Sequence, residues 1–177
     1  MAWLRLSLLL PLATGGCSGC STAVYHLAVG WTGALPSWNG PCDTSTLRPA
    51  EVFGEPAPGT FVALRPGAAE VRCRDGVVRL EVRAPTRLVI EDVEPVGSGS
   101  TFLLTATVAD AHGVLDVGDA SLSWTVSAPL RVTDRCQERH CLVATSLRVV
   151  ADRPGEAIAT VRFQDLEATS KIVVNAN

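Results

Sequence analysis

The sequence predicts an all-β fold: two small β-sandwiches in tandem behind a short N-terminal export segment. Three observations carry this expectation. Apolar residues recur at period two, glycine, proline and aspartate punctuate the apolar runs, and the second half of the chain repeats a pattern found in the first. No stretch of useful length has the periodicity of an amphipathic helix.

At the N-terminus, Arg5 precedes the apolar run from Leu6 to Ala13, which ends in Thr14-Gly15-Gly16-Cys17, with Cys20 close behind. A charged start, an apolar middle and small residues before a cleavage point are the layout of an export signal. The run is too short for a permanent span, which takes about twenty apolar residues in a helix. A cysteine directly after two glycines resembles the lipobox of bacterial lipoproteins. That resemblance implies a signal peptide over 1–16, lipidation of Cys17 as the first mature residue, and a tether over 17–22. Cys20 is the alternative, since its use would leave an even set of cysteines, but Cys17 stands where its own motif wants a different residue. By the same resemblance, Ser18 after the lipidated cysteine implies the outer membrane. The other reading is ordinary secretion with cleavage nearby.

The first module is expected over 23–84. So short a module buries too little surface to be robust without a staple. Cys42 and Cys73 are the candidate disulfide, in keeping with an exported chain. Trp31 and Trp38, flanked by glycine and proline, are expected to fill the core, with an exposed platform for sugar as the alternative. Asp75-Gly76 reads as a two-residue hairpin turn. Alternation then turns Val71, Cys73, Val78, Leu80 and Val82 inward and Arg72, Arg74, Arg79, Glu81 and Arg83 outward. In a simple register Arg72 faces Arg79, an unfavourable pair. Arg72, Arg74 and Arg79 are therefore candidate binding residues for an anionic glycan or acidic protein, set against plain solvation with diagonal Arg-Glu pairing.

Arg65-Pro66-Gly67, Ala69 to Arg72 and Val78 to Val82 recur as Arg153-Pro154-Gly155, Ala159 to Arg162 and Ile172 to Val174, so the Pro-Gly turns lie 88 residues apart. That spacing is about one immunoglobulin-like domain. The boundary is expected near Ala84-Pro85-Thr86, giving a second module over 85–177. Its expected strands are Arg87 to Ile90, Phe102 to Val108, Ser121 to Ser127, Ser146 to Val150 and Ile172 to Val174. In the third of these, Leu122, Trp124 and Val126 share one face against four hydroxyl side chains, which predicts a central strand with Trp124 buried. The features Leu88-Val89-Ile90, Val96-Gly97, Phe102 to Val108, Asp110-Ala111-His112-Gly113, Leu122 to Thr125 and the Arg153-Pro154-Gly155 turn resemble the group 2 bacterial immunoglobulin-like domains of invasin and intimin type adhesins. The resemblance covers 86–175 and implies a β-sandwich with a non-enzymatic envelope role as spacer, adhesion or assembly unit. The insert Cys136 to Cys141 departs from it.

In that insert, Cys136 and Cys141 are expected to form a disulfide pinning a loop, with Gln137, Glu138, Arg139 and His140 as candidate recognition residues at its polar tip. Zinc is the competing reading, but only three candidate ligands gather where zinc takes four. Asp110, Asp116 and Asp119 crowd one loop, where turn chemistry is expected over calcium. No catalytic motif is present, and His26, His112 and His140 lie far apart in sequence. The formal charge of −3, or −4 once Arg5 is removed, is too mild for nucleic acid, and the arginines are scattered. The sequence thus predicts a lipid-anchored envelope protein with no cofactor or metal and a protein or glycan partner. The alternative is a small periplasmic enzyme or metal-binding protein using the Cys136–Cys141 loop.

Overall fold

The computed structural model describes residues 23–35, 41–74, 76–120, 122–135 and 145–176. Apart from one 3-10 turn at Ala50–Val52, every regular element among them is a strand. The first group is β1 (Ala23–Gly33), β2 (Cys42–Arg48), β3 (Phe53–Ala57), β4 (Thr60–Ala63), β5 (Gly67–Cys73) and β6 (Gly76–Arg83). The second is β7 (Arg87–Ile90), β8 (Val96–Gly97), β9 (Thr101–Ala109), β10 (Asp116–Gly118), β11 (Ser123–Val126), β12 (Leu130–Arg135), β13 (Ser146–Ala151), β14 (Gly155–Phe163) and β15 (Leu166–Asn175). The architecture is all-β, with multiple sheets resembling tandem immunoglobulin-like domains; only the second group packs two sheets face to face, whereas the expected first sandwich is a single wrapped sheet.

The second group packs the sheet β11-β14-β15-β8 against the sheet β12-β13-β9-β7. Alternate residues of both sheets meet in one core that includes Leu104, Val108, Val149, Val161 and Ile172, all fully buried. Period-two side-chain placement produces this directly: β14 buries Ala157, Ala159, Val161 and Phe163 and exposes Glu156, Ile158 and Arg162. On the outer face, Arg162 pairs with Glu167 and Lys171 with Glu156 across the β14–β15 hairpin. The first group uses a single sheet in the order β2-β5-β6-β1-β4-β3, wrapped over its own core of Leu27, Trp31, Phe53, Phe61, Val71 and Leu80. Trp31 is 3% exposed and meets Phe53 edge-on at 6.4 Å, so it fills the core as expected. Trp38 lies outside the described residues.

The Cys42–Cys73 disulfide forms, with the two cysteines directly opposite each other on β2 and β5. The β5–β6 hairpin has the expected inward and outward sets but a different register. Cys73 pairs with Gly76, so Gly76 already belongs to the ladder and is not a turn residue. Arg72 therefore faces Val77, and Arg79 faces Glu70. The shift is two residues, which preserves every side chain's face while exchanging its partner, and it replaces the like-charge pair by an opposite-charge one.

Trp124 also departs from expectation. Leu122, Trp124 and Val126 do pack toward the core, opposite the exposed Ser123 and Thr125, but β11 is an edge strand and all three are only partly buried. An edge strand lacks a neighbour on one side, so its inward side chains keep part of their surface in water. The Trp124 indole N–H is itself buried without a hydrogen-bond partner.

Candidate functional site

The outward face of the first module is organised by Glu81 on β6. It accepts a 2.6 Å hydrogen bond from Arg83, meets Arg79 at 3.2 Å and lies 3.3 Å from His26 Nδ1 on β1. The Arg83 hydrogen bond, helped by the charges of Arg83, Arg79 and His26, holds the Glu81 carboxyl below its ordinary pKa against the opposing pull of desolvation. Arg83 reaches on to Asp110 at 3.7 Å. Arg79 is thus engaged within the fold. Arg72 and Arg74, two positions apart on the outer face beside the disulfide, are exposed and have no acidic side chain at ion-pair distance among the described residues. Asp43, opposite Arg72, is occupied by the backbone and hydroxyl of Ser45. Of the three candidate arginines, the geometry leaves Arg72 and Arg74 available to an anion.

Two of the three clustered aspartates serve turns. Asp110 Oδ1 accepts from the N–H groups of His112 at 2.7 Å and Gly113 at 3.0 Å, and Asp116 Oδ1 accepts from Gly118 at 2.8 Å. Burial pushes the Asp110 pKa up, but the two backbone donors and the Arg83 guanidinium outweigh it and hold the carboxyl below its ordinary value. Asp119 uses its backbone N–H on Thr32 at 2.6 Å. Among the described residues no three histidine, cysteine, aspartate or glutamate side chains gather as a metal site.

A groove of about 530 Å³ lies over the outer face of β7 and β9, between Arg87, Val89, Thr107 and Ala109 and the loop from Asp110 to Val114. Val114 is 68% exposed at its rim. Sequence reading missed this groove because its residues are outward strand positions and a turn, and their convergence depends on how the loop folds back over the sheet. The expected sites at Cys17, Cys20, Cys136, Gln137, Glu138, Arg139, His140 and Cys141 lie outside the described residues.

No protein-family model matches the chain, and no curated protein does. Solved structures do resemble it. Domains 5–6 of the S-layer protein SbsC are 14% identical over 89% of this chain and 95% of that one, with a TM-score of 0.36. Invasin, described as a bacterial integrin-binding protein, is 15% identical over 86% of this chain and 34% of its own, with a TM-score of 0.40. The titin pair A168–A169 is 11% identical over 88% of this chain and 94% of that one, with a TM-score of 0.35. The chain spans about a third of the invasin chain it resembles.

Proposed function

We propose that this protein is a non-enzymatic component of a bacterial cell envelope, held at the outer membrane by a lipid on Cys17, whose two immunoglobulin-like modules act as a spacer presenting surface residues to a protein or glycan. The observation that carries the reading is the pair of all-β modules: the described residues fill two apolar cores, and much of the remaining charge is paired on the sheet faces. The disulfide between Cys42 and Cys73 supports an oxidising, extracytoplasmic compartment. Gly15-Gly16-Cys17 after an apolar run supports the anchor, with Cys20 as the alternative attachment point. The presented residues are Arg72 and Arg74, which suit an acidic ligand, together with the polar tip from Gln137 to His140.

Fractionation of cells producing the full chain tests the anchor. The parent is expected in the outer-membrane fraction with a lipidated N-terminal cysteine by mass spectrometry, and Cys17→Ser in the soluble fraction. Recovery of the parent as a soluble protein with an unmodified N-terminus rejects the reading.

A further inference from the structure

The strand β10 belongs to two modules at once. Its flanking and central apolar residues, Leu115 and Val117, are buried in the core of the second module. Its backbone runs parallel to β1, with Leu27 opposite Asp116 and Thr32 opposite Gly118, and so becomes the seventh strand of the first module's sheet. β1 in turn touches both cores midway along its length. Leu27 lies in the first core and the next residue, Ala28, in the second, because adjacent residues of a strand point to opposite faces.

The contact is reinforced by bonds that only this arrangement makes. Asp119 donates its N–H to Thr32 O at 2.6 Å, and Gln164, in the β14–β15 turn, donates from Nε2 to Val29 O at 2.5 Å. Arg83 of β6 reaches Asp110, whose side chain is 7% exposed. Gly118 is the position on which the fit depends. It has φ +58°, and a Cβ there would stand 2.0 Å from Thr32 O and 2.5 Å from Trp31 Nε1. The backbone oxygen cannot yield without breaking the β1–β10 pairing.

We infer that the two modules form one cooperative folding unit of fixed relative orientation, in which β1, already paired with β6 and β4, is an interaction surface whose further partner is β10 of the same chain. This goes beyond the envelope reading and stands independently of it. A spacer built from modules on a flexible linker sweeps out a range of positions, whereas one whose sheet is completed across the junction sets one distance and one direction.

Calorimetry of the full chain, together with NMR relaxation of its amides, tests the inference. The parent is expected to unfold in a single transition whose calorimetric and van't Hoff enthalpies agree, with both modules tumbling at one correlation time. Gly118→Ala is expected to split that transition into two, lower the first module's melting temperature and shorten the correlation times of both modules. Should Gly118→Ala fail to fold, Gln164→Ala, which deletes one junction bond and adds no atom, is expected to raise amide exchange in β1 while leaving β13 protected. Two separate transitions in the parent, or different correlation times for its two modules, overturn the inference. So does a Gly118→Ala protein with the parent's single transition and correlation time.

Discussion

Replacing Cys42 and Cys73 together by alanine opens the bridge that ties edge strand β2 to β5, and its cost follows from the chain it closes. The cysteines are 31 positions apart. In the chain-entropy description, freeing a loop of that size returns about 12 cal/mol/K to the unfolded ensemble, or about 3.7 kcal/mol at 25 °C. Alanine is the right replacement because Cys73 is 7% exposed within the first core, where serine would bury a hydroxyl. With both modules melting as one unit, a destabilisation of this size lowers the midpoint by about 7–15 °C, whereas a first module melting alone would lose about twice that. Differential scanning calorimetry of the double-alanine variant reads the shift, and urea unfolding gives the free energy independently. A variant whose melting and urea curves overlay the parent's would refute the reasoning: the reduced chain would then already be constrained, and loop closure would not be the source of stability.

Trp124→Ala is expected to cost about 2 kcal/mol, less than for a fully buried tryptophan because β11 is an edge strand, while Ser123→Ala on the exposed face leaves the urea midpoint unchanged. A Trp124→Ala protein with parental stability would show that this side chain contributes nothing to the core. Glu81 and Asp110 have folded-state pKa values below their ordinary 4.5 and 3.8, so their contribution is fully present above those values and is lost as pH falls through the folded ones. Stability measured along an acid series should therefore fall there, and Asp110→Asn should flatten the slope; an unaltered slope counts against the junction electrostatics. Arg72→Ala and Arg74→Ala, each made singly, should reduce retention on immobilised heparin, an acidic glycan, more than Arg79→Ala does, because Arg79 is held by Glu81. Equal effects of all three would place the anion response in net charge rather than in that corner.

Sequence alone determined the fold class and most of the second module, because there each strand has one buried face and the period-two signal is clean. Arg87 to Ile90 has the predicted bounds, and the hydroxyl face of β11 is outward as read. The inward set of β5 and β6 was legible for the same reason, but the partner of each arginine was not: a two-residue slip leaves the pattern of faces unchanged, so only the assembled ladder distinguishes Arg72 opposite Arg79 from Arg72 opposite Val77. The edge position of Trp124 likewise depends on sheet order, which no local pattern encodes. Among the strands that reading left out is β1, eleven residues long and central to the first sheet. Its alternation is interrupted where Leu27 and Ala28 are buried in succession, one against each core. Where a strand meets two cores in successive residues the one-sided pattern is lost, and its neighbour β10 comes from a segment some ninety residues further along the chain. That long-range meeting, made possible by the missing side chain of Gly118, is what only the tertiary structure decided.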